Sequence, residues 1–103
     1  MTLSITREMV EGLRGLPAGR PVRIETASGA SLIAILVCDD LHVYVNACPH
    51  RGTELDWNPG AFLSPDGRHL QCATHGARFD PATGFCLTGP CAGESLERVA
   101  ITD

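Results

Sequence analysis

The chain has 103 residues, 44% of them hydrophobic and 19% charged, which is the size and composition of one globular domain. Its formal net charge of −4 argues against a nucleic-acid partner, because such a partner would require a basic surface. The longest apolar run, Leu32 to Cys38, is much shorter than the roughly 18 residues that span a bilayer, so we expect no membrane partner.

The first half of the chain predicts an antiparallel meander of three strands. Residues 4–16 combine apolar residues near helical spacing with two glycines, which predicts a short helical turn or an irregular segment. Further on, Val22, Ile24 and Thr26 alternate with charged residues, as in a half-buried strand. Residues 31–37 are apolar on both faces and rich in β-branched side chains, which favours a central strand. The three strands are expected at residues 22–26, 31–37 and 42–46.

The second half is interrupted by glycine and proline, and it predicts two hairpins and a last strand. The tetrapeptide Ser64-Pro65-Asp66-Gly67 is a strong turn signal. A second turn is expected at residues 81–84. The predicted strands are 61–63 and 68–71 around the first turn, 77–80 and 85–88 around the second, and 96–101 at the end. The sequence therefore predicts an all-β fold in a single domain, 1–103.

Five cysteines are present, an odd number that cannot all pair within one chain. They are Cys38, Cys48, Cys72, Cys86 and Cys91. The N-terminal segment carries two acids and lacks the basic and apolar blocks of a signal peptide, so a reducing cytoplasm is the expected compartment. In such a compartment cysteines are more often free or metal-bound than disulfide-bonded.

Two short pairs of metal-ligating residues stand out among them. Cys48 and His50 form the first pair, Cys72 and His75 the second, and a glycine follows each pair closely. Both pairs are predicted at hairpin tips, where glycine allows a sharp turn. Thiolate and imidazole together suit zinc, copper or an iron–sulfur centre. The spacing alone leaves zinc open, although zinc modules more often use Cys-x-x-Cys and His-x(3–5)-His pairs.

The two motifs Cys48-Pro49-His50-Arg51-Gly52 and Cys72-Ala73-Thr74-His75-Gly76 resemble those of the Rieske [2Fe–2S] family. The residues Phe79-Asp80, Thr83-Gly84 and Gly89-Pro90 extend the likeness, above all to small soluble Rieske-type ferredoxins. The resemblance implies an antiparallel β-sandwich with a small cluster-binding subdomain of two hairpin loops, at about residues 47–92. It implies that Cys48 and Cys72 hold one iron, and His50 and His75 the other.

The same resemblance implies a low-potential centre. High-potential members join two loop cysteines in a disulfide, at positions occupied here by Thr53 and Thr74. Those members also place serine and tyrosine hydroxyls near the cluster sulfurs, where this chain has Ala77 and Phe79. Missing donors leave more electron density on the sulfurs and disfavour reduction. We expect a potential at the low end of the roughly −150 to +300 mV range of Rieske centres.

The function implied by the resemblance is one-electron transfer, without a catalytic residue. A fully ligated cluster has no open position for substrate, and 103 residues leave no room for the mononuclear iron domain of an oxygenase. We expect a monomeric carrier that takes electrons from a flavin-dependent reductase and passes them to an oxygenase or similar terminal enzyme. The alternatives are a module of a nitrite-reductase-type enzyme, a redox sensor that also uses Cys86 and Cys91, and a zinc-stabilised binding module.

Several further residues receive simpler interpretations. Cys86 and Cys91 are expected to be small buried thiols, with a redox pair as the alternative. Trp57 is expected to cover the cluster loop, and the Gly89-Pro90 turn to shield the cluster from water. His42, His69 and Cys38 are read as packing or surface residues. A docking field for a basic partner, or a solvated acidic face, is expected from Glu54, Asp56, Asp66 and Asp80.

Overall fold

The structure is a computed structural model that describes residues 4–6, 11–12, 15, 19–26, 29–37, 40–49, 54–56, 62–72, 76–89 and 91–102. Its strands are β1 (Ser4–Thr6), β2 (Val22–Glu25), β3 (Ser31–Val37), β4 (Asp40–Val45), β5 (Leu70–Gln71), β6 (Arg78–Phe79), β7 (Cys86–Thr88) and β8 (Ala100–Thr102). Among these residues, no helix is long and apolar enough to cross a membrane. The predicted all-β fold is confirmed.

The predicted meander is confirmed, with β2, β3 and β4 forming one antiparallel sheet in that order. Strand β3 is central: its Ala34 pairs with Val22 of β2 and with Val43 of β4. The turn between β2 and β3 places Gly29 at a φ of 89°. The Thr26 hydroxyl accepts a hydrogen bond from the Ala30 amide in the same turn. Local turn chemistry and strand alternation therefore suffice to build this sheet.

Strand β3 is buried on both faces and separates two apolar clusters. Leu32 and Ala34 lie in the smaller cluster with Val43 and Val99. The residues that alternate with them, Ile33 and Ile35, lie in the larger one. The larger cluster consists of Ile33, Ile35, Tyr44, Cys48, Leu55, Phe62, Leu70, Cys72, Ala77, Phe79, Cys86, Cys91 and Leu96. One face of the meander thus supports the part of the chain that contains the cysteines.

A second sheet consists of β5, β6 and β7 in that order, with antiparallel neighbours. The predicted hairpin around residues 81–84 is confirmed with shorter strands and an irregular register at Arg78 and Phe79. The predicted hairpin around residues 64–67 is smaller than expected, since Leu63 and Leu70 form only an isolated bridge. There the Ser64 hydroxyl accepts the His69 amide and Asp66 accepts the Arg68 amide. These side-chain acceptors add to two backbone bonds across the hairpin, from the Ser64 amide to the His69 carbonyl and from the Gln71 amide to the Phe62 carbonyl.

The third sheet joins the two ends of the described chain. Strands β1 and β8 run parallel, with Ser4 opposite Ala100. The prediction of a helical turn or irregular segment was therefore wrong at Ser4–Thr6, whereas Glu11 and Gly12 are helical. The predicted last strand is also interrupted: Arg98 forms a single antiparallel bridge with Tyr44, and strand geometry resumes at Ala100. The predicted last strand is therefore split in two, because Arg98 pairs with β4 whereas Ala100–Thr102 pairs with β1.

Candidate metal centre

Two of the four predicted ligands, Cys48 and Cys72, are described, and both are buried members of the larger apolar cluster. Cys48 comes three residues after the end of β4, and Cys72 directly follows β5. His50 and His75 lie outside the described residues. Within the described part of the chain, no group of three or more His, Cys, Asp or Glu side chains is placed to hold a metal. The structure therefore describes only the thiol half of the predicted site.

The second ligand loop is closed by its own backbone. The Cys72 amide donates to the Ala77 carbonyl at 2.9 Å, and the Gly76 amide donates to the Cys72 carbonyl at 2.9 Å. Gly76 has a φ of 72°, in the left-handed region that favours glycine. The glycine after the second ligand pair therefore has the role that the sequence predicted for it.

The first ligand loop is held at its base by Asn46, a residue that the sequence reasoning missed. Its side-chain oxygen accepts the Leu55 amide at 2.8 Å, so it joins the start of the loop to its end. Its amide nitrogen donates to Asp56 at 2.8 Å and to the Ser31 hydroxyl at 3.0 Å. Asn46 is only 3% exposed. A buried asparagine two residues before Cys48 thus fixes where the loop leaves the sheet and where it returns.

Asp56 is the anionic anchor of the same loop. Its side chain is fully buried and accepts two hydrogen bonds from Arg23, at 2.9 and 3.1 Å. Arg23 also pairs with Glu54 at 2.9 Å. The pKa of Arg23 is raised above its usual value. The hydrogen bond to Glu54 is the largest cause, and the hydrogen bond to Asp56 is the second. The prediction that Asp56 belongs to a docking field or a solvated face was wrong, since this carboxylate is sequestered in an ion pair.

The other acids of the predicted field differ in their surroundings. Glu54 is exposed, although it pairs with Arg23. Asp66 accepts the Ser64 hydroxyl and the Arg68 amide, and these bonds hold the pKa of its carboxyl below the usual value. Asp80 accepts the Ala82 amide at 2.8 Å. Asp66 and Asp80 therefore each have a local role in a turn.

The turn after β7 packs directly against the second ligand loop. Gly89 has a φ of 103°, and a Cβ atom at this position would lie 2.7 Å from the Ala77 Cα. No side chain fits there without displacing backbone, so glycine is required on both steric and conformational grounds. This close approach is consistent with the predicted shielding role of the Gly89-Pro90 turn.

Pro90 lies outside the described residues. Four other residues named in the sequence analysis also lie outside them: Cys38, Thr53, Trp57 and Thr74.

Cys86 and Cys91 are buried thiols, as expected. They are also in contact with each other. Their sulfur atoms are 2.9 Å apart, and neither is in a disulfide. The Cys86 thiol donates to the Thr88 carbonyl at 3.2 Å. Burial is the main reason that the pKa of Cys91 is raised to about 11, and the hydrogen bond to Cys86 is the second reason. The pair lies in the same apolar cluster as the predicted ligands Cys48 and Cys72, which the sequence did not reveal.

The two described histidines serve packing and turns, as predicted. The His42 ring stacks on Tyr44 with centroids 6.5 Å apart, and its Nδ1 is 3.1 Å from Arg98. Burial lowers the pKa of His42, and the positive charge of Arg98 lowers it further. His69 Nδ1 lies 3.9 Å from Asp66. The described contacts of these two imidazole rings are with Tyr44, Arg98 and Asp66, and none of them joins a ring to Cys48 or Cys72.

The donor chemistry of the described residues fits one half of a mixed Cys and His iron–sulfur centre. Two buried thiols in one apolar cluster, each at the start of a hairpin loop, match the thiolate ligands of one iron. The apolar surroundings also suit a redox centre that excludes water. Ala77 and Phe79 are fully buried and bring no side-chain donor to this cluster.

Comparison with known proteins identifies the pattern. The family model described as "Rieske [2Fe-2S] domain" matches residues 8–100. A ferredoxin from Sphingomonas yanoikuyae B1 is 26% identical, with a TM-score of 0.62 over 84% of this chain and 78% of that one. The ferredoxin of carbazole 1,9a-dioxygenase from Nocardioides aromaticivorans IC177 is 24% identical, with a TM-score of 0.58 over the same shares.

A further similar structure is a complex of reduced oxygenase and oxidised ferredoxin in carbazole 1,9a-dioxygenase. Its matching chain is 24% identical, with a TM-score of 0.62 over 82% of this chain and 80% of that one. No curated protein sequence matches this chain. The family match extends over nearly the whole chain, and the structural matches agree with it in fold.

Proposed function

The chain belongs to the Rieske [2Fe–2S] domain family, and from this premise we propose that it passes single electrons from a flavin-dependent reductase to a terminal oxygenase or similar enzyme. Membership makes it a one-electron carrier with a Rieske-type [2Fe–2S] cluster. The structural likeness to a ferredoxin in complex with an oxygenase supports an oxygenase as acceptor. The observation that carries the proposal is the match of the Rieske family model to residues 8–100.

We propose Cys48 and Cys72 as the ligands of one iron and His50 and His75 as the ligands of the other. The burial of both cysteines in one cluster supports the first half of this assignment. When bound, the cluster supplies a one-electron couple. The chain's own contribution is to hold the thiolates in an apolar setting, with one loop closed by its backbone and the other anchored by Asn46.

The remaining proposals concern the state of the protein. It acts as a single domain, 1–103, whose cluster-binding part is about residues 47–92, and it has no catalytic site of its own. A monomer suits a carrier that exchanges partners rapidly through small interfaces. A cytoplasmic location is part of the same proposal. The described cysteines form no disulfide, which is consistent with a reducing compartment; they are Cys48, Cys72, Cys86 and Cys91.

The ligand assignment predicts which cysteine variants lose the cluster. Protein purified under anaerobic conditions should contain about two iron and two sulfide ions per chain and show the electron paramagnetic resonance signal of a reduced Rieske centre. Cys72→Ser should remove most of this iron and the signal. Cys86→Ala, a buried cysteine that we do not assign as a ligand, should retain both. Zinc without sulfide in the wild-type protein, or full iron in Cys72→Ser, would contradict the assignment.

We further predict a reduction potential at the low end of the Rieske range, below about +100 mV. Full burial of Ala77 and Phe79 supports this, because no hydroxyl is available from these side chains to stabilise the reduced form. Protein-film voltammetry at neutral pH measures the midpoint directly. A midpoint well above that value would mean that other donors compensate for the missing hydroxyls.

A further inference from the structure

Cys86 and Cys91 are two nucleophilic side chains that the proposed iron site does not use. The Cys91 thiol donates to the Cys86 sulfur, and the two Sγ atoms are 2.9 Å apart. Neither sulfur is in a disulfide, and the exposed fractions are 0% for Cys86 and 1% for Cys91. Two thiols held in such close contact are in position to be joined by a bond when an oxidant removes two electrons.

The backbone fixes both residues on either side of this contact. The Cys86 amide donates to the Glu94 carbonyl at 2.7 Å, and the Gly93 amide donates to the Cys86 carbonyl at 3.2 Å. The Glu94 amide donates to the Cys91 carbonyl at 2.9 Å. A disulfide has an S–S distance of about 2.05 Å, so the two sulfurs need to approach by less than about 1 Å. Rotation of the two side chains supplies such a shift while the backbone bonds stay in place.

The hydrogen bonds and the cluster surroundings favour this pairing over others. The Cys86 thiol donates its proton to the Thr88 carbonyl at 3.2 Å, so the lone pairs of its sulfur are left for Cys91. Cys48 and Cys72 lie in the same apolar cluster. In the proposed function these two thiolates bind iron, and a bound thiolate is occupied. Cys86 and Cys91 are therefore the pair that an oxidant would join.

We propose that Cys86 and Cys91 are a site of reversible oxidation, at which hydrogen peroxide converts the two thiols into an intramolecular disulfide. One sulfur loses its proton and attacks a peroxide oxygen, the O–O bond breaks, and a sulfenic acid and one water form. The second sulfur attacks the first, the S–O bond breaks, and the S–S bond forms with release of a second water. Two thiols are oxidised and one peroxide is reduced to two waters. A dithiol reductant reverses the reaction by thiol–disulfide exchange.

The new bond would lie next to the second ligand loop. Gly89, in the turn between the two cysteines, approaches Ala77 so closely that a Cβ atom on the glycine would lie 2.7 Å from the Ala77 Cα. A disulfide from Cys86 to Cys91 would therefore fasten this turn to the start of β7. Because both sulfurs are buried, we expect slow oxidation by a small, uncharged peroxide and still slower reaction with bulky thiol reagents.

The test is peptide mass spectrometry of the wild-type protein with its cluster, before and after incubation with hydrogen peroxide. Trypsin cleaves after Arg78 and Arg98 and releases residues 79–98, which contain Cys86 and Cys91 and no other cysteine. The protein is unfolded in iodoacetamide, which alkylates every remaining thiol. After oxidation, most of this peptide should lack both alkyl groups and weigh two hydrogens less than the dithiol form. Dithiothreitol should restore both alkylation sites.

Two variants distinguish a disulfide from other oxidation products. Cys86→Ala and Cys91→Ala each leave one thiol in the peptide, so the loss of two hydrogens should disappear in both. The remaining thiol should stay open to alkylation or gain oxygen atoms instead. The wild-type protein carries the test if a variant does not fold. The peroxide concentration is raised stepwise until the visible absorbance of the cluster is lost, and the disulfide should form within this range.

A peptide that stays fully alkylated throughout this range overturns the proposal, and so does a peptide in which the two cysteines gain oxygen without forming a bond. Either result leaves the proposed function intact, because neither Cys86 nor Cys91 is assigned as an iron ligand. Wild-type protein without iron and sulfide would instead overturn the proposed function. The iron and sulfide content is therefore measured before peroxide is added.

Discussion

Replacement of Asp56 by alanine should destabilise the folded protein by about 3 kcal/mol. Removal of one partner from a buried ion pair typically costs about 3–5 kcal/mol, because the other charge is left uncompensated. The lower end applies here, since Arg23 is 23% exposed and keeps its pair with Glu54. Asn46 would also lose an acceptor that lies 2.8 Å away. For a domain of this size the apparent midpoint of thermal unfolding should fall by more than about 10 °C.

The matched control is Glu54→Ala, which removes the other carboxylate that pairs with Arg23. The Glu54 side chain is 50% exposed, and exposed pairs contribute only about 0–1 kcal/mol. Both variants are followed by far-ultraviolet circular dichroism during heating. The visible absorbance of the cluster, recorded in parallel, should be lost at a lower temperature in Asp56→Ala than in the wild type. Equal destabilisation by the two variants would mean that the buried pair with Asp56 contributes no more to the free energy of unfolding than the exposed pair with Glu54.

Replacement of Phe79 by alanine should cost about 3–5 kcal/mol, the range measured for aromatic residues in packed cores. Phe79 is fully buried in the larger apolar cluster, which also contains Cys48 and Cys72. Its backbone pairs with Leu70 of β5 and with Cys86 of β7, so it is at the centre of the second sheet. A cavity at this position would weaken the packing of both ligand loops at once.

The same chemical change can be made on the surface of the same hairpin. Phe85 is 44% exposed, and substitutions at exposed sites usually change stability by less than about 0.5 kcal/mol. Urea denaturation of Phe79→Ala and Phe85→Ala should therefore give clearly separated midpoints, with Phe85→Ala close to the wild type. Phe79→Leu should fall between them because it restores part of the lost volume. Similar midpoints for the two alanine variants would show that Phe79 does not support the core.

The features that the sequence predicted well are those fixed by nearby residues. Strand alternation and short turns define the meander from Val22 to Val45, because each strand pairs with its neighbour in the chain. The ligand motifs could be recognised because Cys48 and Cys72 each stand in a short pattern with a histidine and a glycine. These signals require no knowledge of distant contacts. The assignment of all four residues as ligands stays a prediction.

The features that it missed depend on residues far apart in the chain. Asp56 resembled three other acids in the sequence, and its full burial between Arg23 and Asn46 is what distinguishes it. Asn46 gave a weak signal as a polar residue at the end of a strand, but its bond to Leu55 depends on the path of the intervening loop. The close approach of Gly89 to Ala77 likewise follows from how two separate turns pack. Sequence periodicity contains none of this information.

The parallel pairing of β1 with β8 has a consequence for the order in which the protein is made. Ser4 cannot find its partner until Ala100 has been synthesised, whereas the meander needs only neighbouring segments. Contacts so distant in sequence form slowly, because a long loop must close before they become favourable. Both ligand loops leave the ribosome before β8 does. The two cysteines that we propose as ligands, Cys48 and Cys72, therefore leave the ribosome while the terminal sheet is still open.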